Sequence, residues 1–396
     1  MTAEGSKSMV SQPERRYDID WLRLAAVFLL FFFHTARIFD PHENFYVHNT
    51  PPSPVLFDAF IRSLSPWHMS LFFLLAGAST YFALCHRSGG GYVRERVKRL
   101  FIPFVFGVLV LIPPQSYLGL LNHSDYSESF FSWFPDFFTL QSEDEDGYFL
   151  GGHTWGHLWF IFHLFVYSLV VIPLFLYFNR PSGRRWVSRF ASAFTTPGVV
   201  FLFPLVLLAM NECPEIVGGN PLFYITFFIA GFLLMSDPRF METIDRQRII
   251  LLILGPVIFA VILIMVGTNS WPDLPEWADD VVDGYIDNFV AWFVILTILA
   301  YGRRLLNFTN GFLKYFAEGA YALYILHQTL IVIIGYFVVQ WDVAIAVKYV
   351  LIVALSFGAS VLTYDLVVRR TNPTRFLFGM KSITNKRAIG RGVGRP

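Results

Sequence analysis

The chain has 396 residues, 55% of them hydrophobic and only 15% charged, with a formal net charge of +1. Soluble domains run nearer ~45–50% apolar and ~25% charged. Here the excess falls in charge-poor blocks of about 20 residues, the length that crosses ~30 Å of hydrocarbon as a helix. This excludes a soluble enzyme, a disordered chain and a disulfide scaffold. The basic residues form short scattered clusters, so nucleic acid is excluded as a partner.

In chain order, a short tail (1–18) precedes spans at 19–38, 65–85, 100–118, 155–178, 196–212, 221–236, 249–268, 284–302, 317–339 and 343–368. The expected fold is an all-α, polytopic membrane protein with a single ten-helix domain over 19–368. Arg23 and His34 in the first apolar stretch, with no cleavage site after it, mark a span and not a signal peptide. Asp58 and Arg62, four apart with the acid first, suit a helical ion pair in an interfacial helix over 53–64. The outer loop at 119–153, rich in Phe, Trp and Asp, is long enough to predict a role in binding or gating. Pro204 and Pro256 predict kinks. A basic tail, 369–396, is expected to be disordered.

The segments 1–18, 86–99, 179–195, 237–248, 303–316 and 369–396 hold 26 of the 30 Lys and Arg residues, and the intervening loops hold none. The positive-inside rule then places both termini in the cytoplasm, which ten spans satisfy. It also sets Cys85 and Cys213 near opposite membrane faces, where no disulfide can join them.

Ionisable groups inside spans are expensive, so each is a candidate. Arg23 and His34 are eleven positions apart, close to three turns and about 16 Å, so both project from one face of the first helix. Asp20 lies one turn before Arg23 and can hold its guanidinium. Tyr321, Tyr324 and His327 form a polar stripe on the ninth helix. His157 and His163 lie in the outer half of the fourth, His68 at the outer mouth of the second. Each histidine also suits a hydrogen-bonded packing role. Arg96 and Arg99 also suit plain positive-inside anchors, and outer tryptophans such as Trp133, Trp155, Trp271 and Trp277 an interfacial belt. No metal-ligand spacing is present, so no metal is expected. Gly89-Gly90-Gly91 lacks the Lys-Ser/Thr partner of a phosphate loop, and there is no Gly-x-Ser-x-Gly elbow.

The first helix, YDIDWLRLAAVFLLFFFHTAR, in which ten residues separate Arg23 from His34, resembles the opening signature of the acyltransferase 3 family of integral-membrane acyltransferases. RVKRLFIP resembles its Arg-x-x-Arg element, here Arg96 and Arg99. LFFLLAG (71–77) is similar to its Phe-Phe-x-x-Ser-Gly stretch, with Ala76 for the Ser, which argues against a catalytic hydroxyl there. GHLWFIFHLFVYSLV (156–170) and AYALYILHQTL (320–330) resemble later segments. The five motifs keep their order across 17–368. RRLLNF (303–308), KYF (314–316), HLWF (157–160) and YILHQTL (324–330) resemble a branch that succinylates periplasmic glucans. The extra extracytoplasmic hydrolase-like domain of some members is not expected after the tenth helix.

The resemblance implies transfer of an acyl group from cytoplasmic acyl-CoA, succinyl-CoA in that branch, to a hydroxyl of an extracytoplasmic glucan or related carbohydrate. The setting it implies is a bacterial inner membrane, with lipid as the other partner. On this reading Arg96 and Arg99 pair with donor phosphates, and Arg23 stabilises donor charge or, with Asp20, orders the helix nearby. His34 is the general base. Tyr324 and His327 donate to the oxyanion. Arg37, one turn beyond His34, meets a succinyl carboxylate, and Trp133, His68 and His157 face the acceptor. An acyl-histidine intermediate is a second route. The competing function is a proton-coupled transporter of a small or sugar-like solute.

Overall fold

The computed structural model describes residues 16–40, 45–51, 54–139, 141, 151–216, 218–268, 270 and 275–383. The acidic run at 143–146 and Trp271 lie outside them, as do the side chains of Trp277, Asp279 and Asp280. Among the described residues there is no strand, only an isolated bridge between Gln141 and His153.

The helices are α1 (Tyr17–Arg37), α2 (Pro54–Leu64), α3 (His68–Cys85), α4 (Gly89–His123), α5 (Gly156–Val170), α6 (Ile172–Phe178), α7 (Pro181–Phe194) and α8 (Val199–Asn211). They continue with α9 (Pro221–Ser236), α10 (Pro238–Arg246), α11 (Arg248–Met265), α12 (Glu276–Leu305), α13 (Gly311–Val338), α14 (Ile345–Val368) and α15 (Asn372–Leu377). Among the described residues seven stretches are long and apolar enough to cross a membrane, or up to ten if each bent pair is one span. The bends are 52° between α5 and α6, 101° between α7 and α8, and 99° between α9 and α10. The sharp pairs join an apolar span to an amphipathic helix. α7 buries Val187, Ala191 and Phe194, and it is held to α10 by Arg239, which donates to Ser192 Oγ at 2.8 Å. Both segments read as inner loops in the sequence; the structure folds them.

The α2 helix forms with its Asp58–Arg62 pair at 2.8 Å and leads into α3, so this apolar stretch runs from 56 to 85. Pro256 sits in a π-helical turn (Ile253–Val257) and Pro204 in the first turn after a 3-10 segment, where its missing N–H removes no helical bond. A second π turn, Val97–Phe101, carries Arg99 within α4; such turns often mark functional sites.

The chain segments alternate between two ends of the bundle. At the basic end Trp21 Nε1 donates to the Phe308 carbonyl at 3.0 Å, and Arg304 pairs with Asp245 at 2.6 Å. At the opposite end the His48 amide donates to Asn122 at 2.8 Å, and Lys348 to Asn49 at 2.9 Å. The α13 helix is the hub: α1, α14, residues 112–123 and residues 156–158 pack around it. Cys85 and Cys213 are free.

The tightest crossing is α3 on α9. A Cβ on Gly77 would stand 1.9 Å from the Phe228 carbonyl oxygen, and one on Gly231 would stand 1.9 Å from that of Leu74. Two glycines let the backbones touch, as small residues do in membrane helix pairs. This gives the LFFLLAG glycine a packing reason.

The tail up to Ile383 does not stay loose, and 384–396 lie outside the described residues. Thr371 caps α15, and residues up to Ile383 fold back against α4 and α13. Arg375 is buried and pairs with Glu318 at 2.9 Å. Composition alone read this stretch as disordered; the buried Arg375 guanidinium, paired with Glu318, and the turn at Gly379, with φ at +64°, fix residues 369–383 instead.

Gly77→Ala or Gly231→Ala is expected to lose at least ~1–3 kcal/mol by overpacking, seen as a lower melting temperature in detergent. Gly90→Ala, with open space around it, is the control that holds its melting temperature.

Candidate active site

The site is built from α1, α3, α4, α5 and α13. On α1, Arg23 pairs with Asp20 at 3.3 Å and donates to Ser79 Oγ of α3 at 2.6 Å. Arg96 lies over the Tyr92 ring at 4.5 Å and reaches Thr80 Oγ1 at 3.5 Å; its Nε is buried without a partner. Arg99 pairs with Glu95 at 3.0 Å, and Glu95 also pairs with Arg87.

These groups surround a funnel of about 490 Å³ that opens at the basic end. Arg87, Arg96, Arg99, Arg375 and Lys381 stand at its mouth, and Arg23, Ser79 and Tyr321 along its wall. The Ala76 methyl lines it where the family motif has a hydroxyl. The deep end is a layer of three rings: Phe72 and Phe160 at 5.5 Å, Phe160 and Tyr324 at 5.6 Å, Phe72 and Tyr324 at 6.3 Å.

Beyond that layer lie the histidines, brought together from four helices. His327 is 5.1 Å from His34 and 4.9 Å from His157, ring centre to ring centre, and Tyr324 is 5.5 Å from His327. His68 sits to one side, 5.3 Å from Phe72. Three of the four are anchored to backbone carbonyls. His68 Nε2 bonds Ala26 O at 2.9 Å, His157 Nε2 bonds Ile325 O at 3.0 Å, and His327 Nδ1 bonds Tyr324 O. A carbonyl only accepts, so each of these nitrogens carries the proton and the other ring nitrogen is left as an acceptor. His157 Nδ1 and His327 Nε2 are accordingly buried and unpartnered. His34 is buried, its Nδ1 is also unpartnered, and among the described residues no carbonyl anchors it. Its tautomer is therefore not fixed by a backbone carbonyl as those of the other three are.

The sequence expectations for Tyr324 and His327 meet a constraint. The Tyr324 hydroxyl donates to the His157 carbonyl, and His327 directs its proton to Tyr324 O. In this arrangement neither has a proton aimed at an oxyanion. His34 lines neither of the cavities at the basic end; Tyr324 is the residue shared by the funnel and the histidine group.

The opposite side of His34 is covered. The Phe45 ring stacks on it at 6.0 Å and 21°, and Arg37 lies over the other partner of that stack, 5.2 Å from the Phe45 ring centre. The 45–49 segment is pinned by His123 Nε2 to Phe45 O at 2.8 Å, by Asn49 N to Ile38 O at 2.8 Å and by buried Lys348. Trp133 is placed elsewhere: it is 1% exposed, in an aromatic cluster with Tyr117, Phe130 and Phe137 that gives the long loop its own core. Among the described residues of that loop, the exposed rings include Phe131 and Phe138.

Sequence reading missed Phe45, Lys348 and the buried network in which Gln115 donates to Thr329 at 2.8 Å and Gln328 to Gln115 at 3.0 Å. Lys348 carried a readable signal, a lone cation inside a span; Phe45 carried none.

The acyltransferase 3 family, described as "Acyltransferase domain", matches residues 16–365, and the chain belongs to that family. It is an integral-membrane acyltransferase. The chain is similar to Glucans biosynthesis protein C of Salmonella schwarzengrund (strain CVM19633), 22% identical over 388 residues that cover 93% of this chain and 95% of the relative. It is also similar to Glucans biosynthesis protein C of Escherichia coli (strain SMS-3-5 / SECEC), 21% identical over 393 residues that cover 94% and 96%. No solved structure matches it. Family membership decides for the acyltransferase over the carrier.

The cover over His34 carries a pH dependence. His48 Nε2 accepts from the Phe45 amide at 3.0 Å, so the closed segment needs a neutral ring. Burial, and then His123, hold the His48 pKa below its ordinary 6.5. The closed form therefore binds fewer protons than the open one, and its stability is full above about 6.5 and falls as pH falls through the lowered value. Hydrogen exchange at the 45–49 amides, corrected for intrinsic rate, is expected to speed up on acidification, and His48→Gln to remove that dependence.

Proposed function

We propose that the protein transfers an acyl group from a coenzyme A thioester, entering at the basic end, to a hydroxyl of a glucan-type carbohydrate arriving from the opposite side. The observation that carries this reading is the funnel with arginines at its mouth and Tyr324 at its tip, one ring from His327 and His34. On this reading the basic end and both termini are cytoplasmic, in agreement with the Lys and Arg distribution, and the membrane is the bacterial inner membrane. The names of the relatives support a glucan acceptor.

Arg96 and Arg99 hold donor phosphates by charge-assisted hydrogen bonds, the buried Arg96 Nε supplying one donor. Arg23, fixed between Asp20 and Ser79, steadies the donor's polar arm along the wall. The thioester passes the Phe72–Phe160–Tyr324 layer as those rings turn. The acceptor hydroxyl then gives its proton to His34 as its oxygen attacks the acyl carbon. The tetrahedral intermediate collapses, the carbon–sulfur bond breaks, and the thiolate takes that proton back from His34, leaving an ester and free thiol. Tyr324 and His327 stabilise the oxyanion once the Tyr324 hydroxyl turns from the His157 carbonyl and the His327 N–H from the Tyr324 carbonyl. Direct transfer needs no covalent histidine.

The acceptor reaches His34 only when Phe45 withdraws, so opening of 45–49 is part of each turnover. His68 and His157, fixed by carbonyls, shape the acceptor side, and Trp133 supports the outer loop that approaches it. Arg37, turned toward a succinyl carboxylate when Phe45 leaves, selects the acyl group.

His34→Ala is expected to lower transfer of labelled acyl from acyl-CoA to glucan by about 10²–10⁴-fold, in membranes where the variant inserts normally; full labelling contradicts the mechanism. Arg37→Gln is expected to shift preference from succinyl toward acetyl donors in the same assay; an unchanged ratio removes Arg37 from acyl selection.

A further inference from the structure

Beneath the funnel mouth lies a second cavity of about 950 Å³, and the two share Arg99, Glu318, Arg375 and Lys381 in their walls. One wall is the α4 turn carrying Arg94 and Lys98; the other is residues 369–383. Six cations, Arg94, Lys98, Arg99, Arg369, Arg375 and Lys381, face two carboxylates, Glu95 and Glu318, a formal excess of four positive charges.

The cations divide into two kinds. Arg99, Arg369 and Arg375 are paired with Glu95, Asp365 and Glu318. Buried Arg375 also donates to the Lys381 carbonyl at 2.5 Å and the Arg369 carbonyl at 3.3 Å, so it ties the tail to α13. Gly379 lets the tail meet the Arg-x-x-Arg turn: a Cβ there would stand 2.7 Å from the Arg99 carbonyl oxygen. Arg94, Lys98 and Lys381 are exposed, and no carboxylate pairs with them among the described residues. Unpaired like charges around one cavity repel one another, and a polyanion relieves that. Phe376 adds an exposed ring to the same wall, a surface on which a base stacks. Several separated cations and one aromatic face fit a nucleotide with more than one phosphoryl group better than a single phosphate.

We propose that residues 369–383 and the α4 turn form a vestibule for the phosphorylated nucleotide of the acyl donor, with Arg94, Lys98 and Lys381 on its phosphoryl groups, Phe376 on its base and Arg375 as the positioning residue. This rests on the coenzyme A reading above and extends it: the tail is half of the donor site. The same phosphoryl chemistry could come from an anionic lipid headgroup, and the experiment separates the two.

The test uses the full chain in nanodiscs of zwitterionic lipid. Its probe is the phosphorylated adenosine diphosphate of coenzyme A without the pantetheine arm. Wild type is expected to bind it, and bound probe to slow tryptic cleavage at Lys381. Lys98→Gln and Lys381→Gln each weaken binding about tenfold. Arg375→Gln raises the donor KM and leaves kcat, which a general loss of fold would not do. Binding unaltered in the Lys98→Gln/Lys381→Gln double variant overturns the vestibule while the acyltransferase reading stands. No probe binding, with anionic lipid raising the melting temperature of wild type but not of the double variant, overturns it in favour of a headgroup. Probe binding that the variants weaken, in a protein that transfers no acyl group from any coenzyme A thioester, supports the vestibule and sinks the coenzyme A donor reading instead.

Discussion

Every polar group in a bilayer must find its partner within the protein, because lipid offers none. That constraint explains how one chain holds four imidazoles so close together. His68, His157 and His327 each direct one N–H to a backbone carbonyl, which fixes the tautomer and leaves one bare nitrogen. Among the described residues His34 has no such anchor. On the proposed mechanism, that difference between three anchored rings and one unanchored ring makes His34 the one that carries the proton.

The same constraint closes the site at both ends. The Phe72, Phe160 and Tyr324 rings separate the basic funnel from the histidines, and Phe45 covers His34 from the other side. A passage open at both ends would let water and ions through. On the proposed mechanism, two aromatic seals around the histidine group let donor and acceptor meet in a dry space, where proton transfer and oxyanion stabilisation are strongest. The seals differ in what holds them: ring packing and the Tyr324 hydroxyl's bond to the His157 carbonyl at the basic end, and at the other a segment pinned by His123, Asn122 and Lys348.

Much of this was legible in the chain. Hydropathy located the spans because lipid imposes a length; 221–236 coincides with α9, and 19–38 lies within two residues of α1. The eleven-residue interval from Arg23 to His34 placed one in the funnel wall and the other in the histidine group, because a helix converts spacing into depth. Where a fold is set by long-range contacts the sequence is silent. Nothing near residue 375 announces that its guanidinium meets Glu318, so the tail read as loose. The helices α7 and α10 read as loops because their arginines satisfied the charge count before their amphipathic faces were considered. Trp133 read as a sugar-facing ring because tryptophan is common at interfaces; in a long loop the same ring is the nearest material for a local core. The bonds that direct the Tyr324 and His327 protons to carbonyls depend on side-chain rotation, which spacing does not encode.

The central claim is that the donor's reacting carbon comes to His34 from the basic end. A structure of the protein with a thioether analogue of an acyl-CoA tests it most directly. The account predicts the arm in the funnel past Arg23, the Phe72–Phe160–Tyr324 layer parted, and the acyl carbonyl within hydrogen-bonding distance of Tyr324 and His327 beside the His34 ring. An acyl group resting short of an intact ring layer, or a donor bound at the opposite end, would contradict it.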